Sequence, residues 1–78
     1  MPRETPEWII RRRRDLGERI ADMRAAAHHT QLSFSAATGI SRSALQRIEA
    51  GETDPRFGDL LRMASVLDQK ISALVGSD

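Results

Sequence analysis

Arg42, Ser43, Gln46 and Arg47 lie within six consecutive residues, at intervals of one, three and four. On a helix those intervals place all four side chains on one face, opposite the apolar Leu45 and Ile48. The planar fork of arginine can donate two hydrogen bonds to O6 and N7 of guanine, and glutamine can pair with the edge of adenine. Such a face suits the major groove of double-stranded DNA. Eleven and twelve residues upstream of Arg42, Gln31 and Thr30 stand at another helix start, where unpaired backbone amides favour phosphate oxygens. Arg11, Arg12, Arg13 and Arg14 add a run of four cations that can lie along a phosphate backbone. An equally weighted reading of that run is a solvated basic helix end.

The elements that position these side chains are legible between residues 30 and 51. Thr30 and Ser41 are good N-cap residues, because a hydroxyl accepts a hydrogen bond from an orphan amide of the first turn. Gly39 and Gly51 can adopt the left-handed conformation that ends a helix. Helices over 31–38 and 42–50 follow, joined by a tight turn, with Phe34, Ile40, Leu45 and Ile48 pointing inward. Upstream, Thr5 can cap a helix carrying Pro6 at its first position. Asp15 with Glu18 gives a second start signal of capping-box type. One near-continuous helix from about 6 to 28 is favoured over a short helix broken at Asp15. Leu16, Ile20, Met23 and Ala27 form its apolar stripe.

Residues 51–55 form a loop, since Asp54 before Pro55 disfavours helix. A helix over about 57–67 is expected to bury Phe57, Leu60, Leu61, Ala64 and Leu67. A last turn or two over about 71–76 offers Ile71, Leu74 and Val75. Nothing alternates with period two, so no strand is expected. The fold class is all-α, with a basic, partly helical extension over 1–14, a domain over 15–76 and a tail at 77–78.

Composition narrows the function. The chain has 78 residues, a net charge of +1 and no cysteine. Neither disulfides nor thiolate ligands can support the small core, so tight helix packing or dimerisation must. Charge is unevenly spread: residues 1–50 carry nine arginines against six acids, residues 51–78 three basic residues against five acids. A basic half that contains the groove-reading face would orient the molecule on phosphates. No apolar run is long enough for a membrane span. Arg11–Arg14 follow Trp8-Ile9-Ile10 rather than precede them, the wrong order for a secretory signal. A cytoplasmic location is expected.

Leu16-Gly-Glu-Arg-Ile20, Thr30-Gln31, Gly39-Ile-Ser41, Ile48-Glu49-x-Gly51-x-x-x-Pro55 and Leu60-Leu-Arg-Met-Ala64 occur in register. Together they resemble the phage-repressor (Xre/Cro) helix-turn-helix family, over roughly residues 15–75. The resemblance implies a compact five-helix, lambda-repressor-like DNA-binding domain that binds operator DNA as a two-fold dimer. It assigns base contacts to Arg42, Ser43 and Arg47, with Gln46 flanking. Gln31 would clamp a phosphate or the edge of the recognition helix. Arg24 and Glu49 would form an ion pair tying the first helix to the third. Five positions depart from the family pattern: His28 replaces a usual glycine, Ser35 a packing alanine, and Leu32 an exposed acid. Thr38 and Gln69 replace larger apolar residues, which should loosen the core.

Other candidate chemistries are weaker. Adjacent His28 and His29 point about 100° apart on a helix and cannot clip a metal. A structural helix end is the better reading, and no metal or cofactor is expected. Glu52, Asp54 and Asp59 suggest loop solvation and a first-turn acid rather than acid–base catalysis. No nucleophile–base constellation or phosphate loop is present, so an enzyme is not expected. Trp8, Ile9 and Ile10 form either a partner-binding patch or, preferred two to one, a core strip. The leading expectation is a homodimeric transcriptional regulator reading a palindromic operator. Arg42, Ser43, Gln46 and Arg47 would read bases, while Thr30, Gln31 and Arg11–Arg14 hold phosphates. With no effector domain, control would come from concentration or an external partner. The alternative is an antitoxin or adaptor whose main partner is a protein.

Overall fold

The computed structural model describes residues 4–76. They form five helices in the order α1 (Glu7–Ala26), α2 (Gln31–Thr38), α3 (Arg42–Glu49), α4 (Phe57–Leu67) and α5 (Ile71–Val75). No strand occurs among the described residues, as the sequence predicts. The expected tail at 77–78 and residues 1–3 of the extension lie outside them. None of these helices is long and apolar enough to cross a membrane.

α1 runs unbroken for 20 residues, straight through the second start signal at Asp15. Its first residue differs from expectation. Pro6 is the N-cap itself, with ψ 148°, and Thr5 provides no cap. The Pro6 carbonyl instead accepts from the amides of Ile9 and Ile10, at 3.1 and 3.2 Å. The helix ends as His28 turns left-handed at φ 62°, the role the sequence assigns to a residue standing where glycine is usual.

α2 and α3 are bounded by the expected signals. Thr30 Oγ1 accepts from the Ser33 amide at 3.0 Å, and Ser41 Oγ from the Ala44 amide at 3.1 Å. Gly39 and Gly51 hold φ values of 77° and 73°. His29, just before the Thr30 cap, packs its ring on Phe34 at 5.5 Å between centroids, a hydrophobic staple across the first turn. The other end of α4 needs no glycine, because Asp68 takes the left-handed conformation at φ 52°.

The core joins Ile20 of α1, Phe34 of α2, Ile40 from the turn, Leu45 and Ile48 of α3, and Leu74 of α5. α4 contributes Leu60, Met63, Ala64 and Leu67. Two residues expected inside lie outside: Phe57 is 65% exposed and Leu61 47%. Both 57-60-61-64 and 60-63-64-67 are legal helical stripes. Packing against α2 and α5 selects the second and buries Met63 fully. Trp8 also remains 62% exposed, so the preferred core strip at 8–10 reduces to the half-buried Ile9 and Ile10.

Thr38 does not loosen the core. It is buried, yet its hydroxyl donates to the Phe34 carbonyl at 2.7 Å and accepts from the Ile40 amide at 3.2 Å. A satisfied hydroxyl avoids the penalty of a stranded polar group and ties α2 to the turn after it. Ser35 adds a second tie, its hydroxyl donating to the Ile40 carbonyl. Gln69 is exposed beside Asp68 and takes no apolar place.

Candidate nucleic-acid interface

α3 is strongly two-sided. Leu45 and Ile48 are buried, while Arg42, Ser43, Gln46 and Arg47 are all exposed, as their spacing predicts. Among the described residues, Arg42, Ser43 and Arg47 make no side-chain hydrogen bond or ion pair. Gln46 reaches back with Nε2 to Gln31 Oε1 at 3.4 Å. Four polar side chains therefore project outward with almost all of their hydrogen-bonding capacity free. This is the state in which base edges can be read.

What fixes α3 in place is a carboxylate shared by three helices. Glu49, at the end of α3, has a side chain only 7% exposed. Arg24 of α1 grips it with a two-pronged contact, Nε to Oε2 at 2.7 Å and Nη2 to Oε1 at 3.0 Å. Hydrogen bonding to Glu49 raises the Arg24 guanidinium above its ordinary pKa, with partial burial opposing and the carboxylate's charge adding. Arg24 Nη1 donates also to the His29 carbonyl at 2.8 Å, just ahead of α2. Gln31 Nε2, in the first turn of α2, completes the set by donating to Glu49 Oε1 at 3.1 Å. All three guanidinium nitrogens are used, so α3 is held against both α1 and α2.

Thr30 and Gln31 lie together at the start of α2, as expected, with Gln31 touching the edge of α3. Ser33 Oγ donates to the Thr30 carbonyl at 3.3 Å and pairs with His29 Nδ1 at 2.9 Å, which locks this end of the helix. His28 and His29 serve the helix boundaries. No group of three His, Cys, Asp or Glu side chains among the described residues could hold a metal ion.

The four arginines of the basic run do not act alike. Arg12 Nη2 donates to the Val75 carbonyl at 3.3 Å, at the end of α5. Arg13 Nε donates to the Gly51 carbonyl at 2.9 Å, behind α3, and Nη1 stands 3.7 Å from Asp54 Oδ1. Arg14 packs its stem on Gly51, so closely that a Cβ there would lie 2.8 Å from Arg14 Cγ. Arg11 and Arg14 make no hydrogen bond or ion pair among the described residues, and both are exposed. The run thus splits into two arginines that tie α1 to the ends of α3 and α5 and two whose charge is free.

Three contributors escaped the sequence reading. Gly17 lets α1 lie against the backbone of α3, since a Cβ there would stand 2.7 Å from the Glu49 carbonyl oxygen and nearer still to that of Ile48. Beyond its place in the Leu16–Ile20 motif, its signal is a glycine inside an otherwise strong helix pattern, which can mark close approach. Arg19 donates to the Leu74 carbonyl at 3.1 Å and secures α5. Arg62, on α4, reaches towards the α2–α3 turn, with Nη1 3.8 Å from where a Cβ of Gly39 would lie. Nothing in its spacing announces that reach.

A helix-turn-helix family profile matches residues 20–74, which include every candidate interface residue except the basic run. Among solved structures the chain is similar to the restriction-modification controller protein C.AhdI from Aeromonas hydrophila. The superposition has a TM-score of 0.76 at 24% identity and covers 78% of this chain and 92% of that one. At that identity the likeness is one of fold. No curated protein matches the chain.

Proposed function

This chain belongs to the Xre-type helix-turn-helix family of non-enzymatic, DNA-binding transcription regulators, and we propose that it recognises a palindromic operator as a homodimer. One observation carries the reading. Arg42, Ser43 and Arg47 make no side-chain bond among the described residues, while Glu49, at the end of the same helix, is held by Arg24 and Gln31. A rigid scaffold presenting unpaired donors is what differential recognition of base edges needs.

In this reading Arg42, Ser43, Gln46 and Arg47 contact bases in the major groove. Thr30 and Gln31 hold phosphate at the start of α2, and Arg11–Arg14 extend the backbone contact, with Arg11 and Arg14 carrying the free charge. Two copies would place their α3 helices about one helical turn apart, so the operator repeats with inverted symmetry. A cytoplasmic repressor or controller role follows, in keeping with the fold likeness to a restriction-modification controller protein. Selection from a random duplex pool at fixed salt tests it. A recovered palindrome supports the reading, and recovery of no common sequence overturns it.

A second reading, an antitoxin or adaptor, draws on the exposed apolar side chains of Trp8 and Leu32, at 62% and 63%. A stoichiometric protein partner co-purifying from the native host would favour it, and a partner-free DNA-binding dimer would count against it.

A further inference from the structure

Trp8 is the chain's only tryptophan, and it stands 62% exposed near the start of α1. Eighteen residues further on lies Ala26, the last residue of the helix. Eighteen residues are five full turns, so both side chains sit on one line of α1, about 27 Å apart. Gly17 is two and a half turns from each, so it faces the opposite side, against α3. The line from Trp8 to Ala26 therefore runs along the outward side of α1, away from α3.

The two ends of this line differ in shape and charge. At the far end a concavity of about 260 Å³ opens between α1 and α4, lined by Met23, Ala26, Ala27, Leu67 and Gln69. Two helices finish there, α1 at Ala26 and α4 at Leu67, and their carbonyl ends carry partial negative charge. Asp22, next to Met23, and Asp68, between Leu67 and Gln69, are both exposed. At the near end the indole projects among Arg11, Arg12 and Arg14. Arg11, Asp15 and Asp22 share this side of the helix, yet none has an ion pair among the described residues.

An aromatic knob among cations and an apolar hole among acids, at opposite ends of one face, cannot meet within one molecule. Two copies running antiparallel satisfy both at once, each giving the other what it receives. We propose that the outward face of α1 is the surface on which two copies of this chain pair. The indole of Trp8 in each then sits in the concavity beside Met23 of the other. The inference rests on the homodimer reading and supplies its surface. Setting Trp8 against Ala26 of the second copy puts the two-fold axis at the level of residue 17. In that register Asp15 meets Arg19 of the second copy, while Arg11 and Arg12 flank its Asp22. The Trp8–Arg19 half of the face precedes residues 20–74, where the family profile matches. Because α3 lies on the other side of α1, the pairing leaves Arg42, Ser43, Gln46 and Arg47 uncovered.

Sedimentation equilibrium of the full chain without DNA, with tryptophan emission followed over the same concentrations, tests the seam. The wild-type chain should dimerise, and its emission should move to the blue as the indole leaves water. Trp8→Ala should weaken the dimer by about ten-fold or more. Arg11→Glu and Asp22→Arg, each checked for folding by circular dichroism, should also weaken it, because each sets like charges together twice. Mixing those two variants should restore the dimer, since every Arg11–Asp22 contact between them is again of opposite charge. A mixture that stays monomeric overturns the two-fold pairing. A wild-type dimer left intact by Trp8→Ala and by both charge reversals overturns the seam alone. So does a dimer whose emission stays red, which leaves Trp8 to a different protein. A wild-type chain that is monomeric at every concentration removes the homodimer reading as well.

Discussion

Gly17 of α1 lies directly against the backbone carbonyl of Ile48 on α3, with the Glu49 carbonyl beside it. Both neighbours are main chain at the end of α3, so neither can swing aside for a methyl group. Gly17→Ala pits a helix-propensity gain of up to about 1 kcal/mol against an overpacking cost of about 1–3 kcal/mol. The overpacking dominates, and urea denaturation should show a net loss. Gly58 supplies the contrast: a Cβ there meets nothing within 4 Å, so Gly58→Ala should raise stability by up to about 1 kcal/mol. Equal responses at the two glycines would refute the close-approach account.

Glu49→Gln should be among the most damaging single changes. It leaves the Arg24 guanidinium, whose side chain is only 16% exposed, without its carboxylate. Breaking a largely buried pair by removing one partner costs about 3–5 kcal/mol. The double change Arg24→Met with Glu49→Leu should recover part of the loss, because no uncompensated charge remains. A double-mutant cycle in denaturant measures the coupling, and additive losses would show that the pair acts as two separate residues.

Arg42→Ala and Arg47→Ala should behave differently from both. Neither side chain has a partner among the described residues, so thermal stability should stay within about 0.5 kcal/mol of the parent. Binding to the selected duplex should weaken by about 1–3 kcal/mol, with base preference relaxed at one position of each half-site. Competition against single-base variants of the site reads this out. An Arg47→Ala protein that keeps its full preference would remove Arg47 from the reading face.

Within the basic run, stability and DNA affinity should separate. Arg13→Ala loses a hydrogen bond to the Gly51 carbonyl and should cost about 0.5–1.5 kcal/mol of stability. Arg11→Ala breaks nothing among the described residues, yet should flatten the salt dependence of DNA binding by about one phosphate contact. Calorimetric melting and a salt titration on the two variants check both halves. Identical profiles would show that the run is an undivided solvated charge.

The parts of this molecule legible in its sequence are those governed by neighbours along the chain. Caps at Thr30 and Ser41, left-handed ends at Gly39 and Gly51, and the two-sidedness of α3 follow from local chemistry, and the structure has them all. α4 occupies the residues its spacing predicts, but the expected roll, with Phe57 and Leu61 inward, does not hold, because a second stripe through Met63 overlaps the first. Only contact with other helices decides that Met63 turns in and Phe57 out. Thr38 misleads for a similar reason, since its hydroxyl finds partners that composition cannot show. The resemblance to the Xre/Cro family, rather than spacing, pointed to Arg24 with Glu49. The inward turn of Arg12 and Arg13 depends on carbonyls 63 and 38 residues away, which no local pattern encodes.

Among the described residues, Arg42, Ser43 and Arg47 make no side-chain bond, whereas Glu49, on the same short helix, is bonded to two other helices. On the proposed reading, the alphabet and the hinge pin are therefore separate residues. Exchanging the first group should redirect the protein to a new DNA address without a folding penalty, so long as Glu49 and its grip are left alone. Retargeting is then a matter of three or four outward letters, and a small library at those positions should contain folded proteins almost throughout.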